Sequence, residues 1–233
     1  MAISIPDPAE TGVVDAAIES RRSLRAYLPD AVPRPTIERI LEVAARAPSG
    51  TNMQPWHVHV LTGDSRDALC NAVCAAYDGE PQAHQYEYDY YPPEFFEPYL
   101  GRRRKVGFDL YKLVGIEKGD KEAMRLQHRR NFEFFGAPVG MIFTIDRRLG
   151  KGSWFDYGMF LQNVMVAARA RGLDTCPQAA WAQYHRIIAA RLELPPEQMV
   201  VCGLAMGYAD HDDPANLLVT ERAPVGDFAV FRG

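Results

Sequence analysis

The sequence predicts an α/β or α+β fold built on one central sheet. Three observations carry this. Segments with helical periodicity outnumber strand-like ones, the strand-like segments are separated by helices rather than joined as hairpins, and no glycine fingerprint G-x-G-x-x-G opens a helix as in a dinucleotide-binding unit.

The elements follow in order. Val13 to Ser20 reads as a short helix, succeeded by the basic loop Arg21-Arg22-Ser23-Leu24-Arg25. A helix from Pro35 or Thr36 places Ile37, Ile40, Leu41 and Ala44 on one face, with Pro35 at a favourable first position. Ala47 to Asn52 closes it in a polar turn, and Trp56 to Thr62 is a strand rich in β-formers. Asp64 to Tyr77 is helical. Asp78 to Leu100 carries prolines, tyrosines and Phe95-Phe96 without a period, which suits a binding loop or lid. Amphipathic helices are expected near Arg102–Val114 and Asp120–Phe135. Val139 to Ile145 is an apolar strand. Phe155 to Ala170 is a helix greasy on several sides, hence buried centrally or at a subunit interface, and Gly172 stops it. Tyr184 to Leu192 is a further helix, Met199 to Met206 a third strand and Phe228 to Phe231 a terminal β-like segment.

Bulk properties bound the function. The 233 residues fit one large domain, 47% are hydrophobic and 24% charged, and the net charge is -4. That balance argues against a general nucleic-acid binder. No apolar run approaches the roughly 20 residues needed to span a bilayer. The N-terminus does not read as a signal peptide, so no membrane association and a cytoplasmic location are expected. Cys70, Cys74, Cys176 and Cys202 form no CxxC pair and have no zinc-spaced histidine. Cys70 and Cys74 stack on one helix face as small hydrophobes, and no metal is expected. The run Arg102-Arg103-Arg104-Lys105 opens a helix backed by Phe108, Leu110 and Leu113, so it reads as a solvated face.

Two clusters have the chemistry of a site. Arg21, Arg22, Ser23 and Arg25 put three guanidinium forks and a hydroxyl within five residues. That set suits a phosphate, or equally a solvated loop paired with Asp or Glu. Pro48-Ser49-Gly50-Thr51-Asn52-Met53-Gln54-Pro55-Trp56 combines small residues with fixed donors and acceptors. It fits a flat ligand, or a plain helix end leading to a strand.

Taken together, the ordered strings resemble the FMN-dependent nitroreductase family. They are Arg21-Arg22-Ser23-x-Arg25, Ala47-Pro48-Ser49-Gly50-Thr51-Asn52-x-Gln54-Pro55-Trp56, Asn131-Phe132-x-Phe134-Phe135-Gly136-Ala137-Pro138, Gly172-Leu173-x-Thr175-x-Pro177-Gln178, Gly203-x-x-x-Gly207-Tyr208 and Arg222-x-Pro224. The similarity spans nearly the whole chain and looks nearest to members acting on nitrobenzoates and other nitroaromatics.

The resemblance implies a three-layer fold with a mostly antiparallel sheet flanked by helices, and a C-terminal extension exchanged in a homodimer. It implies one domain over 1–233 with a lid or substrate insertion at about 78–130. FMN lies at the subunit interface, with NADPH or NADH as electron donor. Arg21, Arg22 and Ser23 take its phosphate and ribityl chain, Arg25 its pyrimidine edge, and Arg222 completes the phosphate site. Pro48, Ser49, Gly50, Asn52 and Gln54 reach the flavin across the dimer. Pro177, Gln178, Ala179 and Ala180 line one ring face, with a backbone N–H near Ala179 directed at N5. No side chain is expected to act catalytically. Tyr88, Phe95, Phe96 and Phe108 are candidate substrate contacts. The activity implied is ping-pong reduction of nitroaromatics to nitroso and hydroxylamine products, the alternative being another acceptor such as a halophenol, quinone or enone. Two departures stand out: Thr220 replaces a lysine common in relatives, and Ala179 replaces an acidic residue found in others.

Overall fold

The computed structural model describes residues 8–233. Seven α-helices and four strands are present among them: α1 (Pro8–Ser20), α2 (Arg34–Ala44), β1 (His57–Thr62), α3 (Gly63–Gly79), α4 (Tyr99–Leu113), α5 (Lys121–Arg129), β2 (Val139–Asp146), α6 (Lys151–Arg169), β3 (Asp174–Gln178), α7 (His185–Arg191) and β4 (Gln198–Gly207). The sheet order is β1-β2-β4-β3 and every pairing is antiparallel.

Side-chain alternation along the strands makes the three layers. From β2, Val139, Met141, Phe143 and Ile145 face one core with Leu204 and Met206 of β4. That core is closed by Ile37, Ile40 and Ala44 of α2 and by Tyr157, Phe160 and Val164 of α6. Ile142 and Ala205 face the opposite core, against Leu69, Cys70, Val73 and Cys74 of α3 and Ile188 of α7. There Phe134 and Trp181 stack with centroids 4.3 Å apart. Two glycines admit that stack. A Cβ on Gly140 would collide with the Phe134 ring, and one on Gly203 with Trp181.

Several expectations are corrected. The helix expected over Asp120–Phe135 ends at Arg129, because Phe134, Phe135 and Gly136 turn left-handed, with φ of 48°, 54° and 83°. That turn buries Phe132, Phe134 and Phe135 in the core. The helix read from Phe155 begins at Lys151. A fourth strand, β3, lies where only a motif was read. Phe228 to Phe231 is no strand in this chain. It follows a single turn at Val225–Asp227, pairs with no strand among the described residues, and leaves Phe231 87% exposed. As expected, Cys70 and Cys74 are buried; Cys176 and Cys202 are buried too, and all four are free thiols.

β4 carries a bulge. Phe143 pairs with Cys202 and Thr144 with Val200, so Val201 has no partner on β2. Its carbonyl accepts from the Tyr88 hydroxyl at 2.5 Å, and the Tyr88 ring packs on Trp154 with centroids 4.7 Å apart. The long aromatic segment is thus pinned to the sheet near its start.

Candidate functional site

The basic loop after α1 runs beside the sheet. Ser23 bridges Thr175 of β3, the Leu24 amide donates to the Thr175 carbonyl at 3.2 Å, and Tyr27 bridges Ala209 beyond β4. Extended backbone alternates its side chains, so Leu24 and Ala26 are buried while Ser23 and Arg25 point outward.

The C-terminal segment closes on this loop through Asn216, which is buried. Its Oδ1 accepts from the Arg25 amide at 2.6 Å, and its Nδ2 donates to the carbonyls of Ala26 at 2.9 Å and Asp210 at 2.7 Å. Arg22 Nη1 also donates to the Asn216 carbonyl at 3.3 Å. This latch brings the two ends of the polypeptide together. They form a groove of about 700 Å³, lined by Arg21, Arg22, Ser23, Arg25, Thr220 and Arg222 among others. The size is that of a small-molecule site.

The electrostatics of the groove are those of an anion site. Burial, and then the like charge of Arg222, pulls the Arg21 guanidinium below its usual value. Among the described residues, none of Arg21, Arg22, Arg25 and Arg222 forms an ion pair. Arg25 donates to the Ser23 carbonyl at 3.1 Å. Arg222 donates to the Thr220 hydroxyl at 2.7 Å and to the carbonyls of Thr220 and Glu221. Four forks of donors against the single lining carboxylate of Glu19, with which none of them pairs, are matched to a phosphate.

β3 itself buries two unpaired polar atoms beside the groove's basic loop. Gln178 Nε2 donates to the Asn131 carbonyl at 2.7 Å, but Gln178 Oε1 and Thr175 Oγ1 are buried without a partner. Pro177, Ala179 and Ala180 are half-buried, and the two alanines open a short helical turn whose first N–H groups have no intrahelical acceptor. A phosphorylated cofactor with a hydrogen-bonding ring edge suits this donor and acceptor set. Burial pushes the Cys176 thiol up, so it is not a ready nucleophile.

The second expected cluster lies across α6. Gly50 donates its amide to Asp156 Oδ2 at 3.0 Å, and the Gln54 amide to the Ser49 hydroxyl at 3.0 Å. Thr51, Asn52 and Gln54 all hold positive φ, near 49°, 61° and 49°. Non-glycine residues seldom adopt that region, and such strain gathers at ligand loops. Pro48 joins Trp154, Phe155, Gly158 and Met159 in a shallow apolar patch, and Gln162 borders both this patch and the arginine groove. Within one protomer the two clusters are neighbours, with α6 between them.

The family model described as the nitroreductase family matches residues 18–208. The chain belongs to that family. Chloronitrobenzene nitroreductase of Comamonas testosteroni is 41% identical over 218 residues, covering 94% of this chain and 96% of the relative. 4-Nitrobenzoate reductase of Pseudomonas putida is 42% identical over 222 residues, covering 94% and 95%. The crystal structure of FMN and NADPH-dependent nitroreductase NfnB from Sphigopyxis sp. strain HMH superposes with a TM-score of 0.92 at 38% identity, covering 94% of this chain and 99% of that one.

In this nitroreductase the four expected aromatic contacts are dispersed. Tyr88 is tied to the bulge and Trp154, Phe95 lies under Arg103, and Phe96 and Phe108 are exposed on the outer surface. Sequence reading missed Asn216, Asp156 and Gln162. For Asn216 only the Asp213-Pro214 turn ahead of it gave a local signal, the Asp213 carboxylate accepting from the Ala215 amide at 2.8 Å.

Proposed function

We propose that the chain is an FMN-dependent NAD(P)H nitroreductase acting on nitroaromatics. The observation that carries this is a groove where four arginines from both chain ends meet, with Glu19 the one carboxylate in the lining and no ion pair to any of them among the described residues, in a member of the nitroreductase family. Bound FMN supplies the hydride relay that couples NAD(P)H oxidation to two-electron reduction of a nitro group, through nitroso to hydroxylamine.

The chain's own part is binding, orientation and tuning. Arg21, Arg22, Ser23 and Arg222 hold the phosphate and ribityl chain, and Arg25 sets positive charge at the pyrimidine edge. Pro177, Gln178, Ala179 and Ala180 would wall one face of the ring, with the Ala179 amide toward N5. No side chain donates or removes a proton at the reacting atoms. Segment 78–130 is the lid of a single domain, and its aromatic residues pack the acceptor.

A homodimer completes the site. The exposed Phe155, 74% accessible, and Pro48 support a contact through α6, across which one protomer's Pro48–Gly50 loop, with Asn52 and Gln54, meets the partner's arginine groove. The unpaired edge of β1 supports exchange of the C-terminal segment. Val60 is exposed there, beside an apolar groove of about 820 Å³, and the tail's Phe228, Val230 and Phe231 lack cover in the protomer. No described helix is long and apolar enough to cross a membrane. We place the enzyme in the cytoplasm, where its four free thiols stay reduced.

The test is an absorption spectrum of the purified protein, followed by anaerobic NADPH oxidation with 4-nitrobenzoate or an iodophenol. A flavin band and a hydroxylamine product are expected. A colourless protein after soaking in FMN would refute the cofactor, and turnover of the iodophenol alone would reassign the acceptor.

A further inference from the structure

The relatives leave one property of the substrate open. One is named for a neutral ring and the other for a ring bearing a carboxylate, at 41% and 42% identity. A cation of α4 held against the aromatic segment bears on that choice.

Arg103 lies on the exposed first half of α4. Its guanidinium carbon stands 4.2 Å from the Phe95 ring centroid and 5.1 Å from that of Tyr91. A guanidinium held against ring faces keeps its in-plane N–H groups free, and those are the groups that grip a carboxylate in two parallel hydrogen bonds. Nothing within the chain uses them: among the described residues no carboxylate pairs with Arg103. Two positions on, Lys105 has partners in Asp109 at 2.6 Å and Glu221 at 3.4 Å. The cation over the rings is thus positioned by the fold and left unneutralised.

Its location suits a substrate. Val106, one helical turn beyond Arg103, lines the arginine groove, an axial rise of about 4.5 Å. The Lys105–Glu221 pair holds α4 against the segment carrying Arg222. Resting on the nitroreductase reading above, we infer that Arg103 selects nitroaromatics that carry a carboxylate. Its fork takes the anionic substituent while the aromatic loop packs the ring. Tyr91 and Phe95 are positioning residues that fix the guanidinium, and neither touches the carboxylate.

The experiment compares 4-nitrobenzoate with its neutral methyl ester on the FMN-loaded enzyme, by equilibrium dialysis and by steady-state kinetics with NADPH. The parent should retain the acid more tightly than the ester. Arg103→Gln, on an exposed helix position that glutamine suits, should weaken the acid roughly ten- to hundred-fold, seen in KM rather than kcat, and leave the ester unchanged. Arg103→Lys should fall between. Equal loss for acid and ester, no loss for either, or a rise confined to the KM of NADPH would each overturn the inference. Acid that binds through Arg103 in dialysis but is not reduced would instead refute the nitroreductase reading and leave the carboxylate site standing.

Discussion

Two arginine clusters of this molecule differ in what surrounds them. On α5, Arg125 and Arg129 reach Asp78 at 2.7 and 2.8 Å, and Arg125 also holds Glu122 at 2.8 Å. Arg129 further pairs with Glu133. Between the chain ends, Arg21, Arg22, Arg25 and Arg222 meet only carbonyls and a hydroxyl. The first cluster neutralises itself and staples a surface helix. The second keeps like charges together in a half-buried groove, which a fold tolerates where an anion will occupy it. Arginine content says little; the absence, among the described residues, of ion pairs to these four arginines marks the candidate site.

The largest expected effect breaks the second cluster. Arg21→Ala should weaken FMN retention by about 1.5–3 kcal/mol, more than tenfold in Kd by flavin-release fluorescence. In flavin-free protein the same change should leave the melting temperature level or higher, because it removes a repulsion with Arg222. A variant holding flavin like the parent would end the comparison. Asn216→Ala comes next. Loss of its bonds to Arg25, Ala26 and Asp210 should cost about 1–3 kcal/mol in denaturant unfolding and loosen flavin as well, since the loop loses its tie to the C-terminal segment. Thr220→Lys sharpens the contrast by adding a cation to the groove. Retention of FMN should tighten modestly while the flavin-free protein melts lower.

The smallest effect belongs to the self-neutralised cluster. Hydrogen bonds from Arg129 and Arg125 hold Asp78 below the usual carboxylate range. A carboxylate depressed in this way stabilises fully above its ordinary value, and that contribution fades as pH falls through the lowered one. Asp78 is solvent-facing, so Asp78→Asn should flatten acid-side melting slightly, without altering flavin retention.

Local pattern made much of this legible. The i, i+3, i+7 spacing of Ile37, Ile40 and Ala44 marked α2, and apolar runs marked β2 and β4. The site was legible mainly through the ordered family strings. Local pattern gave no link between Arg21 and Arg222; before the fold, only the family strings joined them. What stayed hidden depends on long-range partners. β3 is a five-residue edge strand with Pro177 inside it, a position that edges tolerate and local pattern reads as a break. The left-handed turn at Phe134 and Phe135 is held by core packing rather than by propensity. Asn216 sits 191 positions from the amide it serves.

The Tyr88 tether has an evolutionary consequence. Because the Tyr88 hydroxyl on a bulged carbonyl, together with the Glu87 contacts to Arg147 and His185, moors the aromatic segment to the scaffold, the exposed residues beyond it can be exchanged without disturbing strand register.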